Sequence, residues 1–346
     1  MYMKKITHLL SKTLWIFFIV CTVFATHAQN WAPDRYLQGY EETTIKQPDD
    51  YSGKVVCTVV RRMSPCRSHV GILYVHGYND YFFQKVEGDT FVDSCYNFYA
   101  VDLRKYGRSL QQGQTPYECR KISEYFPDID SALNIMHNDG ITRVILMGHS
   151  TGGLVVASYM NDKPSPLIKA VILNSPFLEW NMGGFTRKVG VPFMTWLGSW
   201  WPKLSVSQGK STAYAESLLK QYHGEWEYDT NLKTVEPRKV SAGWIRAITN
   251  AQKALKKHSD IKVPVLLMHS DKTVNAYKWS VDMERGDLVL NVEHISELGK
   301  KLGPDVTEDT IKDGLHDLAL SAPEVRAKFY SDIFNWLDSI GLKPFK

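Results

Sequence analysis

Gly148-His149-Ser150-Thr151-Gly152 sets the Ser150 hydroxyl between two glycines, directly after the apolar run Arg143–Met147 and directly before the helix-compatible stretch Gly153–Met160. A serine on a sharp strand-to-helix turn needs such neighbours, because its backbone is strained and the helix must pass close to the strand. The chemistry this arrangement serves is nucleophilic attack on a carbonyl carbon. A serine hydroxyl is a poor nucleophile at neutral pH. A histidine must take its proton, and a carboxylate must hold that histidine in the right tautomer. Where the serine sits on such a turn, acid and then histidine follow it in the chain.

Five histidines follow Ser150: His223, His258, His269, His294 and His316. The first two fall in or beside an irregular aromatic stretch, His269 ends an apolar strand, and His294 lies within a helix-like segment. His316 sits in Asp313-Gly314-Leu315-His316-Asp317, a glycine-containing loop between the last strand and the closing helix, where a general base can reach the nucleophile. Two acids precede it on one connection. Asp271 comes just after the strand that ends at His269, and Asp287 comes just ahead of a helix-like segment; residue type and spacing leave both open. The oxyanion of acyl transfer needs two aimed N–H donors. The candidates are the backbone N–H of Thr151 and that of Tyr78, in His76-Gly77-Tyr78 after an earlier strand. The His76 imidazole is expected to pack beneath the site and take no part in the chemistry.

These residues need a scaffold. Lys54–Met63, Val70–His76, Asn97–Val101, Arg143–Met147, Ala170–Leu173, Val263–Met268 and Val306–Ile311 read as strands, several apolar at nearly every position. Pro127–Asp139, Gly153–Met160, Val292–Leu302 and Glu324–Ile340 carry apolar residues at helical spacing. Apolar strands alternating with amphipathic helices imply an α/β protein with a mostly parallel sheet covered on both faces. Residues 29–52 show no clear period and read as a lead-in. Residues 177–257 break the alternation and hold Trp180, Trp196, Trp200, Trp201, Trp226 and Trp244, six of the ten tryptophans. They read as an inserted, largely helical cap whose aromatics line an acyl pocket or form the cap's own core.

The 44% hydrophobic and 23% charged residues of the 346-residue chain are those of a globular protein and exclude a disordered one. Lys4, Lys5 and Lys12 precede the apolar run Leu14–Ala25, closed by Thr26-His27-Ala28. That pattern predicts a signal peptide over residues 1–28, cut before Gln29, and an exported protein, periplasmic or secreted. The net charge of +4 is concentrated in that segment; no Lys/Arg cluster forms a nucleic-acid footprint. Cys57, Cys66, Cys95 and Cys119 form no CxxC pair, so zinc is not indicated. Export permits disulfides among them, but three pairings are open and buried thiols serve equally.

From Val70 onward the chain resembles the serine aminopeptidase/monoacylglycerol-lipase-like branch of the α/β-hydrolase superfamily. The residues that carry the resemblance are His76-Gly77, Asp102-Leu103-Arg104 with Gly107-Arg108-Ser109, Gly148-His149-Ser150-Thr151-Gly152-Gly153, Asn174-Ser175-Pro176 and Gly314-Leu315-His316-Asp317. Lys105 stands where relatives have a glycine, which bears on the shape of that loop. The resemblance implies an eight-stranded sheet, a core of residues 29–176 and 258–346, a cap over 177–257 after the sixth strand, and hydrolysis without metal or organic cofactor. It also favours Asp287 over Asp271 as the acid, because an apolar pair and then a helix follow Asp287 as in relatives, with the usual interval to His316. The expected activity is hydrolysis of carboxylic esters, monoacylglycerol- or lysophospholipid-like, through an acyl-enzyme on Ser150; the alternative is an exopeptidase of the same fold. The expected partners are a small-molecule or lipid ester and, through the cap, a transiently contacted membrane surface.

Overall fold

Val70–Val75 is apolar at every position and every position is buried, which requires cover on both faces of a strand. The computed structural model supplies that cover; it describes residues 29–209, 211–275 and 279–344, so the expected signal peptide lies outside the described residues. The strands are β1 (Ala32–Pro33), β2 (Glu41–Asp50), β3 (Gly53–Arg62), β4 (Val70–Val75), β5 (Asn97–Asp102), β6 (Arg143–His149), β7 (Ile168–Asn174), β8 (Ser205–Val206), β9 (Val240–Ser241), β10 (Val265–Ser270) and β11 (Val306–Ile311). The helices used below are α1 (Lys85–Asp93), α2 (Phe126–Asn138), α3 (Thr151–Asp162), α4 (Val191–Trp200), α5 (Ala213–Leu218), α6 (Ala242–Lys257), α7 (Val292–Gly299) and α8 (Pro323–Ser339).

The main sheet has nine strands in the order β1-β2-β3-β5-β4-β6-β7-β10-β11. β5, β4, β6, β7, β10 and β11 pair in parallel, while β1, β2 and β3 are antiparallel additions at one edge. Seven of these strands were read from the residues, and the resemblance implied eight. The ninth is β1, whose two residues pair with Glu41 and Glu42. β2 had been read as lead-in. It is a polar edge strand, with Thr and Glu where a central strand would be aliphatic and a register irregularity between Gln47 and Asp50 around Pro48. Proline and charge are common on edges, where they discourage pairing with another chain.

Alternation along each central strand feeds two cores. Leu73 and Val75 of β4 join Val144 and Leu146 of β6 under α2, α3, α6 and α7. Ile72 and Tyr74 join Ile145 and Met147 under α1 and α8. The chain between β7 and β10 holds α4, α5 and α6 and the two-stranded β8–β9 ribbon. Because the sheet is parallel in its centre, the segments that leave β4, β6, β10 and β11 all emerge at one end. Ligands bind there in open α/β sheets.

Candidate active site

Ser150 emerges at the end of β6 with φ +53° and ψ −117°, a backbone that side chains rarely adopt. Three glycines make room for it. A Cβ on Gly148 would come within 2.7 Å of the Gly152 carbonyl oxygen, one on Gly152 within 2.2 Å of Val75 O, and one on Gly153 within 2.8 Å of Pro176 Cβ. Those contacts let α3 start directly over the strand ends. The motif therefore has a steric cause at each position.

His316 and Asp287 meet Ser150 there. Ser150 Oγ lies 2.9 Å from His316 Nε2, and Asp287 Oδ2 lies 2.9 Å from His316 Nδ1. The carboxylate accepts the Nδ1 proton, so Nε2 is left to accept from the serine hydroxyl. Asp287 is wholly buried, and its other oxygen accepts the N–H groups of Val289 at 2.7 Å and Leu290 at 2.8 Å. Those bonds fix the carboxylate just ahead of α7. Asp271 is exposed and is not brought to the imidazole; its Oδ1 accepts the Asp313 N–H at 2.9 Å. It ties down the start of the loop that carries His316.

The same loop is held from beneath by Asp317, which accepts from Asn174 Nδ2 at 2.9 Å and Gln84 Nε2 at 3.1 Å. Burial would raise the Asp317 pKa, but the field of His149, the Gln84 and Asn174 bonds and Lys233 hold it below the ordinary value. His149 lies beside His316, with ring centroids 4.8 Å apart. Burial pushes its pKa down to about 4, so the ring is neutral at physiological pH. His76 is buried too. Its Nδ1 lies 2.8 Å from Gly77 O and its Nε2 accepts the Leu103 N–H at 3.1 Å. Both nitrogens are occupied by backbone, which agrees with a packing part and not a chemical one.

A Cβ on Gly77 would lie 3.1 Å from Ser150 Cβ, so the chain after β4 passes against the serine. Among the described residues, no hydrogen bond occupies the N–H of Tyr78 or of Thr151. Both residues line the cavity that holds Ser150 and His316. That cavity is about 350 Å³, and its apolar wall includes Phe177, Trp180, Met182, Trp244, Leu288 and Leu290. Among its described lining residues Lys233 is the one with a full charge, and no carboxylate is present.

The six insertion tryptophans divide. Trp180 and Trp244 line the cavity, and Trp226 packs under Arg326 while its indole N–H donates to Leu320 O. Trp196, Trp200 and Trp201 face solvent, 56%, 68% and 60% exposed. The last three are therefore neither acyl-pocket wall nor cap core. Glu179, Glu216 and Glu225, three acids of the insertion, stand outside the cavity wall; Glu179 pairs with Lys256 and Glu225 with Arg326.

Lys105 adopts φ +64°, the conformation that explains glycine at this place in relatives. Its buried ammonium meets Asp50 at 2.7 Å and lies 4.2 Å from the centre of the Tyr51 ring, so the larger side chain is accommodated by the β2–β3 hairpin. Of the four cysteines, Cys66 and Cys95 are bonded, and Cys57 and Cys119 are buried thiols. Asp80, His149 and Asp317 place potential ligand atoms within 4.8 Å of one another. Lys233 supplies a cation there, 3.1 Å from Asp80, and Asp317 accepts from the Asn174 and Gln84 amides.

Residues 68–282, more than half of the chain, match the family described as serine aminopeptidase, S33. The chain belongs to that family, within the α/β-hydrolase superfamily. The match includes Tyr78 and Ser150 but stops short of Asp287 and His316, which the folded geometry adds. A phospholipase of Bacillus subtilis strain 168, YtpA, is 29% identical over 171 residues, 46% of this chain. The matched part spans 61% of that relative's length. Among solved structures, a monoacylglycerol lipase of Paleococcus ferrophilus superposes with a TM-score of 0.59 at 23% identity, over 82% of this chain and 98% of the other. A monoglyceride lipase of Saccharomyces cerevisiae, bound to a substrate analogue, superposes with 0.62 at 14% identity, over 86% and 96%. These likenesses establish the fold.

Proposed function

We propose that the protein is an exported serine hydrolase of carboxylic esters, with lipid-like esters such as monoacylglycerols or lysophospholipids as substrates. The observation that carries this reading is the Ser150–His316–Asp287 relay opening on an apolar cavity with no carboxylate among its described lining residues. His316 Nε2 takes the Ser150 proton as Oγ bonds to the ester carbonyl carbon. The negative charge moves to the carbonyl oxygen, which accepts hydrogen bonds from the N–H groups of Tyr78 and Thr151. Collapse breaks the bond to the alcohol, which leaves with the proton from His316, and the acyl group stays on Ser150. Water then repeats the sequence and releases the acid. Asp287 keeps its hydrogen bond to Nδ1 throughout and stabilises the imidazolium.

An aminopeptidase of this fold would need a carboxylate to hold the substrate amine. Among the described lining residues the one charged group, Lys233, is a cation, and it is already paired with Asp80. Kinship with a protein described as a phospholipase and fold likeness to monoacylglycerol lipases favour lipid esters. The outer face of α4 supports a membrane-surface contact: Phe193, Trp196 and Trp200 recur at helical spacing on a solvent-facing side, with Arg187 and Lys188 just before them. Aromatics with flanking cations suit a lipid interface. Among the described residues, no helix is long and apolar enough to cross a membrane. The Cys66–Cys95 bond supports an oxidising compartment; mass spectrometry of the secreted chain is expected to begin at Gln29. The activity test is a p-nitrophenyl ester series of increasing chain length beside aminoacyl arylamides. Ester turnover with an optimum at medium or long chains is expected; faster cleavage of the arylamides would reject the ester reading.

A further inference from the structure

Four consecutive residues of the loop after β4 are each bonded to one stretch of the insertion, residues 229–238. Tyr78 donates its hydroxyl proton to Arg238 O at 2.5 Å. The Asn79 side-chain amide pairs with the backbone of Thr234, donating from Nδ2 to Thr234 O at 2.8 Å and accepting the Thr234 N–H on Oδ1 at 3.0 Å. Asp80 meets the ammonium of Lys233 at 3.1 Å, both side chains buried, and its second oxygen is buried without a partner. The Tyr81 hydroxyl oxygen accepts the Asp229 N–H at 3.0 Å. Tyr117 adds a hydroxyl to Asn79 Oδ1 at 3.0 Å.

Asn79 itself has φ +50°, a left-handed backbone that asparagine tolerates better than most residues. Its neighbour Tyr78 carries the N–H assigned to the oxyanion. Such a donor works only when it is aimed at the place where charge develops, and a displacement of about 1 Å can cost on the order of 10²-fold in rate. A short loop with one such residue needs external bonds to hold that aim, and its side-chain bonds to residues 229–238 supply them.

We propose that Asn79 is a positioning residue for the Tyr78 N–H, clamped by Thr234, so that segment 229–238 supports the oxyanion hole as well as walling the cavity. The proposal rests on the acyl-enzyme reading of Ser150. It assigns to the insertion a share of turnover, where a cap that only walls the cavity would set selectivity alone.

Asn79→Gly tests it, because glycine keeps the backbone at φ +50° while removing the clamp. The readouts are kcat and KM for p-nitrophenyl butyrate and the inhibition constant of phenylboronic acid, which adds to a serine as a tetrahedral anion. Rates are expressed per active site, counted by fluorophosphonate titration. The expected result is a fall in kcat of about ten- to a hundredfold, an equal weakening of the boronic acid, and a KM within about twofold. A merely structural part would lower the number of titratable sites and leave kcat per site unchanged, and that result overturns the proposal. Tyr78→Phe removes only the bond to Arg238 and keeps the N–H. A smaller fall in the same two quantities is expected, about threefold. If Asn79→Gly does not fold, an unchanged kcat in Tyr78→Phe is the overturning result. Ser150→Ala run in parallel separates the layers. Hydrolysis by that variant defeats the acyl-enzyme reading, whereas an inert Ser150→Ala beside a fully active Asn79→Gly defeats only the positioning claim.

Discussion

The sheet and the insertion between β7 and β10 depart from the ordinary burial rule in opposite directions. In the sheet, charges beneath the site are buried and paired. Arg108 lies between Asp102 at 3.0 Å and Asp34 at 2.7 Å, and Arg104 meets Asp128 at 2.6 Å, all of them nearly out of contact with water. In the insertion, large apolar groups stand in solvent; Phe185 and Trp200 are 79% and 68% exposed. A sheet that positions reacting atoms must be rigid, and buried, mutually satisfied polar groups make it so. An exposed aromatic face has nothing to gain within its own chain. On the proposed reading it meets an outside surface, the geometry for the reaction comes mainly from the sheet, and access to substrate comes from the insertion, with segment 229–238 as the place where the two meet.

The largest expected effect distinguishes the two acids at the edge of the sheet. Asp287→Asn should lower kcat on the order of 10⁴-fold by analogy with serine proteases, because the histidine is left in the wrong tautomer. Asp271→Asn should change kcat little, since Asp271 holds only the Asp313 N–H. Steady-state ester kinetics on both folded variants decide, and a collapse confined to Asp271→Asn would reverse the assignment.

Next in size is the Cys66–Cys95 bond, which joins positions 29 residues apart. Replacing both cysteines by serine should cost about 3 kcal/mol in urea unfolding. Reductant should bring the wild-type protein to the variant's midpoint. A midpoint indifferent to reductant would mean that the bond does not form.

A pH effect of similar or smaller size belongs to His149. Its folded pKa is pushed down to about 4 by burial from an ordinary 6.5. Between those values the unfolded chain binds the proton and the native one does not, so stability falls as pH drops from about 6.5 to 4. The loss is about 3 kcal/mol at most. His149→Gln should flatten this part of the stability curve, and an unchanged slope would remove His149 as its source.

The smallest effect probes the insertion's outer face. Trp196→Ala and Trp200→Ala should each weaken binding to anionic vesicles by about tenfold, with hydrolysis of a short soluble ester unaltered. Equal vesicle binding by the double variant would leave the exposed face of α4 without a lipid partner.

Much of the sheet and the reactive centre was legible because steric necessity writes it into residue types. Ser150 needs Gly148, Gly152 and Gly153, and His316 needs the loop between β11 and α8. The carboxylate that meets His316 was harder to read. Asp271 has the obvious strand-end position, and only the turn that puts the Val289 and Leu290 N–H groups on Asp287 shows why the later residue reaches the imidazole. β2 was missed because its partner, the valine-rich β3, supplies the apolar side of the hairpin. The sorting of the tryptophans left one usable trace: Phe193, Trp196 and Trp200 share a helical face, while Gly198 lies against the Ala242 carbonyl on another. The bonds from Asn79 to Thr234 left none, since they join residues 155 positions apart through backbone groups that every residue carries. Asn174 and Asp317 were visible as motif members, but their mutual bond could be seen only in the folded chain.

The central claim is that Ser150 is the nucleophile. Incubating the folded protein with a fluorophosphonate probe and mapping the adduct by peptide mass spectrometry tests it most directly. A single adduct on Ser150, absent from a folded Ser150→Ala variant that no longer hydrolyses esters, is the expected result. An adduct on another residue, or full ester turnover by Ser150→Ala, would contradict it.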